Sequence, residues 1–186
     1  NFLYGISKLE IETDDTGSNF AGLNIDTPAA EYGLYVGAAS HSTIPGKLGF
    51  YHHTPGTAQY FAVFDCNGNL GLGTTAPGNQ LEIAKSAGEA IMELSSWSTT
   101  DSDQGLIIFQ KSASATIGTM SETASGEVLG SQHYHGVNSS SATAAAARIQ
   151  VEQDGAAGAT HIPGRIKFMT SSGSGVSERV RITGEG

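Results

Sequence analysis

This sequence predicts an all-β fold of short strands joined by turns rich in Gly, Ser and Thr, and three observations predict it. Apolar residues recur in short runs with a two-residue period, the pattern of strands that cover one face. Clusters of Gly, Ser, Asn and Pro separate those runs at close intervals. Leu, Ile, Val and Phe together make up only 38 of the 186 residues while Gly alone supplies 25, so the core available to any fold is thin.

The strands follow in chain order. Residues 9–13 (LEIET), 22–26 (GLNID) and 33–37 (GLYVG) alternate apolar with polar or small residues. Residues 47–52 (KLGFYH) and 60–65 (YFAVFD) are richer in aromatic and branched side chains, and 60–64 is apolar on both faces. A second layer of the same chain or a neighbouring subunit must cover it. Residues 80–84, 90–94, 106–110 (LIIFQ) and 116–120 are compact apolar runs between Gly and Ser clusters, and each is expected to be a strand. The last group is 128–135 (VLGSQHYH), 149–152, 165–170 (RIKFMT) and 179–183 (RVRIT), the last alternating so cleanly that one face is dry and one wet. The stretch SSSATAAAARIQ stays ambiguous: Ser141 can cap an alanine-rich helix, but the alanines lack the bulk to anchor one.

Composition narrows the function. A net charge of −9 with nine Lys and Arg argues against duplex nucleic acid, whose binding rests on cations neutralising phosphates. No apolar run is long enough for a membrane-spanning helix. The single cysteine, Cys66, makes no internal disulfide, and Asp65 beside it disfavours a thiolate nucleophile. The chain opens on Asn1 without a signal-like segment, and is expected to be a piece of something longer. GxSxG, GxxxxGK[ST] and HExxH are all missing, which removes the common hydrolase, NTPase and zincin readings.

A repeat organises the chain. Residues 37–68 laid on 155–186 without a gap give eight identities, at Gly37, Ala38, Ala39, Ile44, Pro45, Gly46, Phe50 and Gly68. The alternating apolar positions of two strands stay in register. On this basis residues 1–68 are the C-terminal part of one repeat unit and 69–186 a second, which stops where its own copy of NGNLGLGTTAP would begin.

That phrase is where a family becomes visible. The run NGNLGLGTTAPGNQLEI at 67–83, with ARIQVEQDG, IPGRIKFMT and SERVRITGEG in the second half, resembles the "GNVGIGTTSP" phrases that punctuate phage tail-fibre and tail-spike proteins. The resemblance implies an elongated, intertwined homotrimeric β-fibre, located extracellularly in the virion. Its implied function is structural and adhesive, in attachment to a host polysaccharide or outer-membrane receptor, with other tail or baseplate proteins as further partners. A non-enzyme is expected. The alternatives are a capsule-degrading glycosidase, whose carboxylate pair no sequence spacing reveals, and a bacterial adhesin built from the same modules.

Within the phrase, Gly68, Gly71 and Gly73 are expected to allow positive φ or close backbone approach, and Pro77 to end the ladder. Three further clusters carry candidate chemistry. His133 and His135 in QHYHG point the same way from a strand, and across a threefold axis would offer six imidazoles to a transition metal such as iron. Tyr51, His52 and His53 are candidate sugar contacts. Asp101 and Asp103 resemble the start of a calcium loop, but the closing glutamate is missing and a turn is expected instead. Residues 54–59, 121–126 and 139–143 are expected to be exposed loops.

Overall fold

A computed structural model of the chain describes residues 8–13, 20–26, 31–37, 43–54, 57–173 and 175–184. The described residues form eleven strands and no helix, as two sheets in two compact units, Asn1–Ser95 and Ser96–Gly186. The repeat boundary at 68/69 divides the sequence by repetition and not by compactness, and falls in the turn that follows the fifth strand.

The first unit is a seven-stranded sheet in chain order: β1 (Lys8–Thr13), β2 (Phe20–Asp26), β3 (Glu31–Gly37), β4 (Leu48–Thr54), β5 (Thr57–Phe64), β6 (Leu70–Leu72) and β7 (Leu81–Ile83). Every pairing is antiparallel except β6 with β7. One face is covered by its own chain. Tyr35, Ile44 and Val63 form a buried cluster, with Tyr51 and Tyr60 packed against it. Tyr60 lies over Gly49, where a Cβ would stand 2.6 Å from the ring, so glycine here is what lets an aromatic ring settle on the sheet. The opposite face carries Leu34, Phe50, Phe61, Phe64 and Leu72, all exposed. The doubly apolar run at 60–64 is thus divided: a bulge beside Phe50 and Tyr51 turns Tyr60 and Val63 to the covered face and leaves Phe61 and Phe64 open.

The second unit is a four-stranded antiparallel sheet of β8 (Val128–Val137), β9 (Thr143–Gln153), β10 (Gly164–Ser171) and β11 (Val176–Ile182), in the order β11-β10-β9-β8. The ambiguous alanine stretch is strand β9. Ser141 caps no helix; it takes φ 58° in the β8–β9 turn, where Asn138 Oδ1 accepts from the backbone N–H groups of Ser140 and Ala142. Cross-strand pairing overrides the intrinsic preference of alanine for helix.

Three expected strands are not formed. Residues 90–94, 106–110 and 116–120 pair with no strand among the described residues, although Phe109 lies against Gly130 of β8 and Gln110 reaches Met120. One strand escaped the sequence reading. β6 is only three residues, LGL, too short to show a period, and exists because β5 and β7 flank it.

The 118-residue repeat holds in the pairing itself. Leu48 pairs with Phe64 and Phe50 with Ala62 in one hairpin; Ile166 pairs with Ile182 and Phe168 with Val180 in the other. Each hairpin then has a bulge at the same step, so that Tyr51 pairs with Tyr60 and Met169 with Glu178.

Candidate functional site

The glycine phrase is a crossover. At its start Asp65 Oδ1 accepts from the backbone N–H groups of Asn67 and Asn69 at 2.9 Å, and Gly68 closes the turn with φ 83°. The Asn69 backbone N–H, with help from Asn67 and the Asn69 amide, holds the Asp65 carboxyl below its usual range. β6 then lies antiparallel to β5 and β7 returns parallel to β6, so residues 73–80 must cross the sheet. They cross over Gly71, where a Cβ would stand 2.5 Å from the Thr74 carbonyl oxygen and 3.4 Å from Pro77, which is buried. Gly73, at φ 74°, makes the corner, and a Cβ there would stand 2.2 Å from the Ala84 carbonyl oxygen. Lys47 Nζ fastens the crossover by donating to the Thr75 carbonyl at 2.5 Å. The roles expected of Gly68, Gly71 and Gly73 are thus a turn, a close approach and a corner within one chain, while Pro77 packs over the sheet.

The second sheet has its charges on one face and its apolar groups on the other. Glu152 accepts from Lys167 Nζ at 2.8 Å, Arg165 Nε at 2.8 Å and Gln150 Nε2 at 2.5 Å. Arg165 continues to Asp154 at 2.7 Å, and Glu178 takes a two-pronged contact from Arg181. Lys167 first, then Arg165 and Gln150, hold the Glu152 carboxyl at about 2 against the burial that would raise it. Burial is inverted across β10: the side chains of Arg165 and Lys167 are 18 % and 14 % exposed, while Ile166 and Phe168 on the other face are 37 % and 39 % exposed. Val180 and Ile182 extend that apolar face and are exposed too.

His133 and His135 stand together on β8 with ring centroids 5.9 Å apart, and Ser131 Oγ lies 2.9 Å from His133 Nε2. His133 pairs with Arg148, which puts it on the charged face. No group of three or more His, Cys, Asp or Glu side chains that could hold a metal forms among the described residues, so one chain offers a two-imidazole pair. The sugar candidates separate. Tyr51 packs edge-on against Tyr35 at 5.3 Å on the covered face, and His52 packs at a tilt against Tyr32 at 4.8 Å on the other. Adjacent strand residues point to opposite faces, so these two cannot line one surface. The side chain of His53 lies outside the described residues.

Of the expected loops, 54–59 shrinks to residues 55–56, which lie outside the described residues, because Thr54 pairs with Thr57 in β4 and β5, and 121–126 is exposed apart from Thr123. Thr123 is buried and donates to Gln153 Oε1 at 2.6 Å, and Gly126 N–H donates to the Gln153 carbonyl at 2.8 Å. Asp103 accepts from Ser98 Oγ at 2.5 Å in the expected turn. What sequence reasoning missed is how much of the middle of the chain stands open. Trp97 is 95 % exposed and Ile117 fully so, and Leu106, Ile107, Ile108 and Phe109 are exposed on both sides of one extended run. Four consecutive large apolar residues were the available signal.

The fold is similar to that of a solved chain described as the carboxy-terminal domain of the bacteriophage T5 L-shaped tail fibre, with a TM-score of 0.57 and 13 % identity. The match covers 97 % of this chain and 77 % of that one. No protein-family model and no curated protein matches the sequence. At this identity the likeness is one of fold: an all-β chain of short strands, like a tail-fibre domain.

Proposed function

We propose that the chain is a structural and adhesive segment of a phage-like tail fibre, acting outside the host cell as part of a virion and as a homotrimer. The fold likeness to a tail-fibre domain is the observation that carries this reading. Exposed surface supports the oligomer. Two compact units, each half of the chain's 19.2 kDa, would expose about 10,200 Å² in total even if they stood apart. The chain exposes 13,447 Å². The difference, about 3,200 Å², is of the size that obligate interfaces bury.

In this reading the partners are further copies of the chain, neighbouring tail or baseplate proteins, and a polysaccharide or outer-membrane receptor on the host. An acidic fibre meeting an anionic envelope is repelled at long range, so attachment rests on short-range contacts bridged by divalent cations. Light scattering across a dilution series tests the assembly: a mass three times 19.2 kDa that survives dilution is expected, and a monomer at every concentration would overturn the reading. For attachment, the purified fibre should block adsorption of the parent particle to host cells, and EDTA should weaken its binding.

A further inference from the structure

We infer that the two repeated hairpins meet further copies of this chain through one recurring apolar face: Phe50 and Phe64 in the first unit, and Ile166, Phe168, Val180 and Ile182 in the second. The inference rests on the homotrimer proposed above and names the side chains that make its contact.

The repeat itself is the evidence. Offset by 118 residues, the two hairpins keep the same register and the same bulge, so each position on one has a counterpart on the other. On one face Leu48, Phe50, Ala62 and Phe64 correspond to Ile166, Phe168, Val180 and Ile182, apolar in every case. The opposite face shares nothing: Gly49, Tyr51, Tyr60 and Val63 correspond to Lys167, Met169, Glu178 and Arg181. The varying face is already satisfied within the chain, by the Tyr35–Ile44–Val63 cluster in one unit and by the Glu152 ion pairs in the other. On the constant face Ala62 is buried and Leu48 partly so, but Phe50, Phe64 and all four residues in the second unit are exposed.

The occupant follows from chemistry and area. The eight corresponding positions carry no charged or hydrogen-bonding side chain, and polar groups enter the face only at its margin, as His52 on β4 and as Thr170 with Arg179 on β10 and β11, so a sugar or an ionic ligand finds little there to pair with. A second copy brings an identical apolar face, and the excess surface is that of an obligate interface between copies. Because both hairpins carry the face, each unit makes its own contact.

The test places a charge on each face in turn. Phe168→Asp and Phe50→Asp should each shift the assembly toward monomer by at least tenfold in the concentration needed for association, and the double variant should abolish it. His133→Asp, on the charged face of the same sheet, should leave assembly unchanged. Cross-linking in a Cys66→Ser background gives a readout that does not depend on stability. Phe168→Cys should be joined between copies by a short bis-maleimide, and His133→Cys should not.

If the wild type assembles while Phe168→Asp assembles equally well, or if His133→Cys is the variant that cross-links, this face is not the contact and the homotrimer stands without it. If the wild type is monomeric throughout, the homotrimer falls and this inference with it.

Discussion

The two units contain the same hairpin and cover it in different ways. In the first, the inner face is closed by the chain itself: Ile44 is fully buried over the sheet, and residues 73–80 cross over Gly71. In the second, the equivalent position, Ile162, is about half exposed, and the inner face is held by ion pairs around Glu152. One repeat is thus stabilised by packing and the other by charge. Both leave apolar side chains of the same outer face exposed. The difference teaches that a repeat can change the means that hold its inner face while keeping its outer face apolar.

The sharpest way to break this comparison is to truncate the equivalent isoleucines. Ile44→Ala should destabilise the first unit by about 3 kcal/mol, the usual loss for a buried branched side chain, whereas Ile162→Ala should change stability by less than about 0.5 kcal/mol. Denaturant unfolding of each variant measures both, and equal effects would remove the contrast. Gly71→Ala places a Cβ against the Thr74 carbonyl and should destabilise the crossover by about 2 kcal/mol, in the range of overpacked sites.

In the second unit Glu152→Gln leaves Arg165 with Asp154 and Lys167 with the more distant Glu178, and should lower stability by about 2 kcal/mol, less than for a fully buried pair because both cations are partly solvated. The acid profile follows with its sign. A carboxyl held at about 2 in the folded chain but near 4.5 when unfolded contributes stability above pH 4.5 that is lost as the pH falls toward 2. The second unit should therefore loosen across that window in wild type, and Glu152→Gln should flatten the profile; thermal unfolding recorded against pH reads this. Gly68→Ala should have a smaller effect than Gly71→Ala, about 1 kcal/mol, since φ 83° is strained for alanine but the space around it is open.

Much of the fold was legible. Ten of the eleven strands overlap a run that the sequence marked, though β9 starts at Thr143 and only 149–152 of it was marked, and the hairpin register follows from laying one repeat on the other. What could not be read was nonlocal. Alternation shows that residues 106–109 can form a strand, but a strand needs a neighbour to pair with, and whether one exists depends on what the rest of the chain, or another chain, brings alongside. The site residues divide in the same way. Gly68, Gly71 and Gly73 were legible because turns and close approaches demand glycine locally, and His133 with His135 because strand geometry puts alternate residues on one side. The same geometry sends the neighbours Tyr51 and His52 to opposite faces.

The sequence by itself therefore determined the strand class, the repeat and the places where only glycine serves, since each depends on period or on local backbone sterics. Only the tertiary structure decided which face of each sheet is closed by its own chain, where the three-residue β6 finds its partners, and which apolar runs stay unpaired. Those outcomes depend on surfaces far apart in the chain meeting or failing to meet, and no local pattern encodes that.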